Sequence, residues 1–393
     1  MITVVGYDGS PLPQPAMDWL QKASLVVGGR RHLEAVRPPE SARRIVLGDV
    51  PAALAEIDAA AGDDVVVLAS GDPAFFGILR ALREHGHAPE VLPAVSSVAT
   101  AFARIGLPWD DAVVVSAHGR DPRTAVNACR AMPKVAVLTS PACGPKEIGA
   151  ELAGWDRVLW VAERLGGPGE RVVRCSPAEA ATRDWADPNV VIALDEERPA
   201  DGPRVHDQPA APPDGWAYAE DAYRHRAGMI TKWEVRAVVL SRLRPTLGTL
   251  IWDVGAGSGS VGIECAEHRA AVIAVERDPA ACDLIRRNAR SSGVRVVEGA
   301  APEAYDRLPD PDAVFLGGGG RDALTGALAR RPATVVATFA AVDRAATARG
   351  LLADAGYEVE GVQLAASRFA DLPGGSFRLE AQNPVFVLTG RLR

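Results

Sequence analysis

Cysteine is scarce in this chain: five among 393 residues, at Cys129, Cys143, Cys175, Cys265 and Cys282. No two share a C-x-x-C spacing. That excludes a disulfide frame and a cysteine zinc site, and it fits thiols kept reduced in a cytoplasm. Lysine is scarcer, with four residues, and only Lys232 falls in the second half; the other basic residues are arginines. A positive balance is missing too. At a net charge of −7 the chain lacks the broad basic footprint of a nucleic-acid binder. No apolar run is long enough to span a membrane. The start, Met1-Ile-Thr-Val-Val-Gly6, lacks a basic leader and a cleavage site and reads as a first strand. Tandem repeats and low-complexity tracts are absent. The remainder, 48% hydrophobic and 24% charged, is that of an ordinary soluble globular protein. Its length predicts two or three domains.

One stretch organises the second half: Thr249-Leu-Ile-Trp-Asp-Val-Gly-Ala-Gly-Ser-Gly-Ser-Val-Gly262. An apolar run, Leu250 to Val254, leads into Gly255, Ala256, Gly257, Ser258 and Gly259. A helical segment over Val261–His268 follows, then a second apolar run, Ala271 to Val275, ending in Glu276. Strand, glycine turn, helix, strand and acid is the layout of a nucleotide-type cofactor site. Glu276 falls where a carboxylate accepts from both ribose hydroxyls. Gly257, Gly259 and Gly262 also satisfy the dinucleotide rule G-x-G-x-x-G, but Asp253 would repel a pyrophosphate. The same carboxylate suits the ammonium and sulfonium end of S-adenosylmethionine (SAM). A bare glycine turn without a ligand is the bland alternative.

Residues 1–200 alternate short β-type runs with helical stretches, an α/β pattern in two lobes joined near Trp109–Asp111. A proline-rich linker over 201–215 follows, and a second domain spans 216–393. Thr231-Lys-Trp-Glu234 fits a capping box, with a helix predicted from Lys232 to Arg242. Asp278 is the expected cap of a helix that begins at Pro279 and stops at Gly293. The last two predicted strands, Glu358–Leu364 and Pro384–Leu388, suggest an antiparallel edge pair.

After the fourth strand of the second domain comes Gly317-Gly-Gly-Gly320. It offers neither the Asn-Pro-Pro-Tyr of an amino-methylating enzyme nor a Pro-Cys nucleophile. It leaves room for something wide and flat that brings its own nucleophilic carbon. Glu298-Gly-Ala-Ala301 lies where an adenine edge would be read, so the backbone of Ala300 or Ala301 is the expected contact. In the first half, Ala69-Ser-Gly-Asp-Pro73, Pro93-Ala-Val-Ser-Ser97 and Ser116-Ala-His-Gly-Arg120 each sit at the carboxyl end of a strand. Singly they read as a turn, a helix cap at Ser97 and a surface histidine; together they mark a crevice.

These loops carry a resemblance. On Ser70-Gly-Asp-Pro73, Ser96-Ser97, His118-Gly-Arg120 and Glu163-Arg-Leu-Gly166, residues 1–200 resemble the tetrapyrrole methylase family, in the branch that methylates C5 of a corrin precursor. Two departures stand out: Val5-Gly-Tyr-Asp-Gly9 is less glycine-rich than the family's usual Gly-x-Gly-Pro-Gly, and Ala94 stands where glycine is common. The resemblance implies a two-lobed fold with SAM in the cleft, at Gly71, Asp72, Ser96 and Ser97. Residues 216–393 resemble the C15 methyltransferases and decarboxylases of the same cobalamin pathway. Met229-Ile-Thr-Lys232, Asp253–Gly259, Glu276-Arg-Asp278, Ala301-Pro-Glu303 and Asn383-Pro-Val385 carry that match. It implies a class I Rossmann-like SAM-dependent methyltransferase domain, with Thr231 among the cofactor residues. The pair implies two SAM sites per chain, methyl transfer to C5 and C15 of a tetrapyrrole, and loss of a ring C acetate carboxyl. The substrate is a polycarboxylate, so cations are expected at the pocket mouths, with Lys232, Arg120 and Arg321 as candidates. No metal, nucleic acid or membrane partner is expected; a homo-oligomer in the cytoplasm is. An RNA or protein methyltransferase with an N-terminal recognition domain is the alternative, and the acidic balance counts against it.

Overall fold

The computed structural model describes residues 1–60, 62–198, 216–226, 228–289, 292–318 and 320–393. The expected linker over 201–215 lies outside them. Strands follow the chain as β1 (Ile2–Tyr7), β2 (Leu25–Gly28), β3 (Arg43–Val46), β4 (Val65–Ser70), β5 (Glu90–Leu92), β6 (Val113–Ser116), β7 (Lys134–Leu138), β8 (Val158–Glu163), β9 (Arg171–Cys175) and β10 (Asn189–Leu194). After the undescribed stretch come β11 (Leu250–Val254), β12 (Ala271–Glu276), β13 (Arg295–Glu298), β14 (Ala313–Leu316), β15 (Thr334–Phe339), β16 (Tyr357–Leu364), β17 (Ser367–Asp371), β18 (Phe377–Ala381) and β19 (Val385–Leu392). Helices separate most of them, so the chain is α/β.

The first sheet has the order β3-β2-β4-β1-β5, with its described pairs parallel. Its central strands are runs such as Val65-Val-Val-Leu68, because alternate residues go to two different cores. Val4, Val27, Val65 and Val67 pack with Leu54 and Ile57. Val5, Val26, Val66 and Leu68 pack with Ala16 and Leu20. A strand buried on both faces therefore loses the apolar–polar alternation. The second sheet runs β6-β7-β10-β8-β9, with β8 and β9 antiparallel.

The third sheet is seven-stranded, in the order β13-β12-β11-β14-β15-β19-β16. Its first five strands pair in parallel, and β19 inserts antiparallel between β15 and β16. The expected antiparallel pair is thus present, with β16 at the edge. The winding reverses at β11, between β12 and β14. At such a reversal, crossovers leave on opposite faces and open a crevice at the carboxyl ends of the strands. The cofactor motif sits at that reversal.

By packing, the described residues form two compact units. One comprises Met1–Asp110, Ala136–Lys146 and Leu159–Ile192; the other comprises Asp111–Val135, Glu147–Val158 and Ala193–Arg393. Within the second, Ala131 and Trp155 share one buried cluster with Leu250, Trp252, Ile273 and Val314.

Local expectations differ from the structure in several places. The helix expected from Lys232 spans Trp233–Leu243, with Lys232 as its N-cap, and no capping box forms at Thr231. Glu234 does not fold back, because Arg368 holds both its carboxylate oxygens. The Trp233 N–H is served instead by Glu220 Oε1 at 3.2 Å. Ser96, not Ser97, caps the helix Ser97–Ile105, accepting from Ala99 N–H at 3.1 Å. Asp278 caps the helix Pro279–Asn288 as expected, but that helix ends well before Gly293. Edge strands β3 and β9 carry no readable alternation in sequence, whereas β18, Phe377-Arg-Leu-Glu-Ala381, does alternate and was not among the expected strands. The ladders of β3 and β9 come from tertiary pairing.

Candidate cofactor sites in the two halves

In the first half, the loops after β1, β4 and β5 converge. A Cβ on Gly6 would lie 2.3 Å from the Gly71 carbonyl oxygen and 2.5 Å from the Ala94 nitrogen, so only glycine fits where the backbones meet. The Gly71 N–H donates to the Tyr7 carbonyl at 2.8 Å. Asp72 Oδ1 accepts from the Ala74 N–H at 2.9 Å, which shapes the turn. Asp8 accepts from the Ser10 and Val95 N–H groups, which hold its carboxyl below the ordinary aspartate range against the opposing effect of partial burial. Beside these loops lies a cavity of about 340 Å³, lined in part by Gly6, Tyr7, Asp8, Pro93, Ala94 and Val95. That is a small-ligand volume. The sequence expectation placed Gly71, Asp72, Ser96 and Ser97 together. The structure brings Gly71 against Val95–Ser97, since a Cβ there would meet Ser96 Cα at 3.0 Å. Gly6 was not among the expected residues; a glycine within a short strand gives no signal that two loops abut it.

In the second half, Gly255, Gly257 and Gly259 all have positive φ, +68°, +57° and +77°. Gly257 meets nothing within 4 Å of an added Cβ, so a side chain there would project into the open crevice. Its N–H donates to Glu276 Oε2 at 3.0 Å, while Glu276 Oε1 accepts from the Arg277 and Asp278 N–H groups. The acid after β12 therefore spans the glycine turn, where a ribose would lie. Ala256 and Ser258 complete the turn, and the Ser258 carbonyl accepts from Asn288 Nδ2 at 2.9 Å. The Ala300 carbonyl accepts from the Ala304 N–H at 2.8 Å, while Ala300 itself is exposed and Ala301 half-buried. The described glycines of the loop after β14 abut the motif, with Gly318 Cα 2.9 Å from a Cβ on Gly255. Gly319 lies outside the described residues.

Asp253 lies deeper than its sequence position suggests. It is 1% exposed, and its Oδ2 accepts from the Gly262 N–H at 2.8 Å. Burial above all, and then the charge of Glu276, push its carboxyl up to about 7, against the lowering effect of the Gly262 bond. Its Oδ1 is buried without a partner. An orphaned carboxylate oxygen under the turn, an open space above Gly257 and an acid across the mouth together fit a cationic, ribose-bearing ligand such as SAM.

The expected cations are dispersed. Lys232 is half-buried, and its positive charge helps hold Glu220 at about 2, although the hydrogen bonds from Arg368 do most of that. The anion at this helix N-terminus is thus the protein's own Glu220, and Lys232 is the N-cap and not the first helical residue as expected. Thr231 lends its carbonyl to Arg236 Nη1 at 2.7 Å. Arg120, after β6, and Arg321, in the helix Gly320–Ala329, are exposed, with no carboxylate partner among the described residues.

A seven-stranded sheet with an antiparallel penultimate strand, an acid–glycine turn at its reversal and a second acid at the next strand end defines a SAM-dependent methyltransferase. Residues 221–387 match the family described as the precorrin methyltransferase domain, and residues 5–181 match the tetrapyrrole (corrin/porphyrin) methylases. The chain belongs to the family of precorrin-6Y C(5,15)-methyltransferases (decarboxylating). One so named from a Sinorhizobium species is 39% identical over 331 residues, 81% of this chain and 78% of that protein. Two further relatives each match one half. Cobalt-precorrin-7 C(5)-methyltransferase from Salmonella typhimurium is 36% identical over 50% of this chain and 100% of its own length. A probable cobalt-precorrin-6B C(15)-methyltransferase (decarboxylating) from Pyrobaculum aerophilum is 34% identical over 44% of this chain and 97% of its own length.

Proposed function

We propose that each half carries its own SAM site and its own methyl transfer. Residues 1–200 act at C5 of precorrin-6B, and residues 216–393 act at C15 with loss of the ring C acetate carboxyl, giving precorrin-8X. The observation that carries this reading is the pair of unrelated glycine-lined cradles, one at Gly6 and Gly71 and one at Gly255–Gly259. Bound SAM supplies an electrophilic methyl group. The chain's own residues would hold it: Glu276 for the ribose hydroxyls, Asp253 for the cationic end, and the backbone at Ala300 and Ala301 for the adenine. In each transfer a sulfur–carbon bond breaks, a carbon–carbon bond forms and the meso carbon loses a proton. In the decarboxylation the electron pair of the broken bond enters the conjugated macrocycle, which is then protonated. Orientation and exclusion of water carry most of the catalysis, because the meso carbon is already an enamine-like nucleophile.

Lys232, Arg120 and Arg321 are the proposed contacts of the substrate carboxylates. The cytoplasm is the proposed location, supported by five buried cysteines that form no disulfide. No helix among the described residues is long and apolar enough to cross a membrane. A homo-oligomer is part of the same reading. The hairpin β17–β18 supports it, since Phe369, Phe377 and Leu379 are 74%, 58% and 62% exposed. Light scattering on the full chain tests that part, and a monomer at micromolar concentration would remove it. For the function, mass spectrometry of the product from metal-free precorrin-6B should show two added methyl groups and one lost CO₂. Calorimetry should count two SAM molecules per chain; a single site would refute the two-cradle reading.

A further inference from the structure

We propose that Arg31 binds a substrate carboxylate in the C5-methylating half, and that Ser70 and His32 fix its position. This rests on the reading that the first half handles a polycarboxylate tetrapyrrole. The turn Gly28-Gly29 ends β2 and starts the helix Arg30–Val36. β2 pairs with β4 in parallel, Leu25 with Val65 through Gly28 with Leu68, so the two strand ends lie side by side. From there Arg31 reaches Ser70, the last residue of β4 and the neighbour of Gly71 and Asp72.

The hydrogen bond from Arg31 runs in one direction. A guanidinium can only donate. Arg31 Nη2 lies 2.7 Å from Ser70 Oγ, so the serine oxygen accepts there. The serine proton is then free to point at His32 Nε2, 3.2 Å away. When the proton points there, Nε2 accepts and the neutral imidazole carries its own proton on Nδ1, which is buried without a partner. In the other tautomer the same oxygen accepts from both Arg31 and His32, and the serine still links the two side chains. The ring is neutral in either case, and its surroundings agree. His32 is 5% exposed, and its ring packs edge-on against Tyr7 at 5.8 Å. Burial, and then the charge of Arg31, lower the imidazole to about 4. Tyr7 in turn lines the cavity beside Gly6 and Ala94.

Arg31 stands out for what it does not touch. Burial lowers its guanidinium below the usual arginine range, yet no carboxylate pairs with it among the described residues. Arg130 and Arg157, lowered by burial in the same way, pair with Glu151 and Asp195. Arg295 is lowered too, but it lies over the Trp155 ring and donates to the Ala153 carbonyl. Arg31 differs from Arg130 and Arg157 in being exposed, and its bond is to the one serine hydroxyl, so the rest of its fork is open to a ligand. A partly desolvated fork of N–H donors, held by one corner beside a cofactor loop, is suited to a planar carboxylate.

The test uses the full chain and follows C5 methylation, SAM binding and CO₂ release separately. Wild-type turnover at C5 establishes the reading beneath the proposal; its absence would remove that reading and the proposal with it. Given turnover, Arg31→Ala should raise KM for the tetrapyrrole at C5 by roughly ten- to a hundredfold, the usual worth of a charged hydrogen bond. SAM affinity and CO₂ release should stay within about twofold, and Arg31→Lys should recover part of the loss. His32→Leu should raise the same KM by a smaller factor, and His32→Asn, which restores an acceptor for Ser70, should reverse it. An unchanged KM in Arg31→Ala overturns the assignment. An equal loss of SAM affinity overturns it too, by showing that the arginine shapes the loop and not the substrate.

Discussion

Glu276 accepts three backbone N–H groups, and one of them, from Gly257, belongs to the turn proposed to meet the cofactor. Glu276→Ala should therefore weaken SAM binding in the second half by roughly ten- to a hundredfold. C15 methylation and CO₂ release should fall together while C5 methylation persists; a variant releasing CO₂ at the normal rate would place decarboxylation elsewhere. Asp253 makes a different prediction. Its carboxyl is raised to about 7, chiefly by burial, whereas the unfolded chain ionises near the ordinary aspartate value. Between those limits the folded state holds the proton and the unfolded state does not. Stability from this group is therefore lost as pH rises from about 4 to about 7, and is flat above. Asp253→Asn keeps an acceptor for Gly262 and removes that loss. Urea melts should show the variant gaining on wild type as pH rises through this window, and a constant gap would show that Asp253 is ionised throughout.

Among the elements, the hairpin β17–β18 runs against the usual pattern. Phe369 pairs across with Leu379 and Asp371 with Phe377, so its apolar residues share one face, which is exposed. Its other face carries Arg368, which makes four hydrogen bonds of 2.7–2.9 Å to Glu220 and Glu234. One arginine thus fastens the hairpin to the first turn of the helix Trp233–Leu243, whose end Glu220 also caps. Without it the two acids would face each other with only the charge of Lys232 to offset them. Arg368→Ala should cost on the order of 1–3 kcal/mol and speed proteolysis within the hairpin. Glu220 is held at about 2, mainly by the Arg368 hydrogen bonds. A depressed carboxylate stabilises fully above its ordinary range and loses that contribution as pH falls. The deficit of the variant should accordingly be largest above about pH 4.5 and shrink toward pH 2. The Arg368 guanidinium carbon also lies over the Trp233 ring, 6.0 Å from its centroid, and a deficit independent of pH would mean that loss of this contact dominates.

At the scale of the whole molecule, family match and packing divide the chain differently. Residues 5–181 match one family, yet Asp111–Val135 and Glu147–Val158 pack with Ala193–Arg393. Asn127, 1% exposed, donates to the Gly248 carbonyl at 3.0 Å and to Asp312 at 3.2 Å. Arg123 joins the same carboxylate at 2.9 Å, and Asp312 also accepts from the Leu250 N–H at the start of the cofactor strand. Cutting the chain between 198 and 216 would bare Trp155, Ala131 and this polar cluster. Separately expressed fragments 1–198 and 216–393 should therefore recombine into a one-to-one complex on size exclusion, with tighter SAM binding in the second half than in the lone fragment. Independent elution at micromolar concentration would show that the shared cluster contributes little.

The sequence alone determined what depends on neighbours in the chain. Apolar runs broken by glycine fixed the order of strands and turns, because a backbone at positive φ needs glycine wherever it sits. Acids at or near the ends of two strands of the second half marked the turn proposed to hold the cofactor, and the loops of the first half marked neighbouring strand ends. Tertiary structure decided what depends on residues far apart in sequence. β3 and β9 are polar edge strands whose hydrogen bonds come from partners elsewhere, so no local period marks them. The capping box at Thr231 was overridden because Arg368, more than a hundred residues away, took Glu234 and Glu220 took the helix end. The burial of Asp253 follows from a helix closing over β11. The place of Arg31 beside Ser70, without a carboxylate partner among the described residues, follows from the pairing of β2 with β4. Charge and solvation act through space, and only the folded chain says which groups share it.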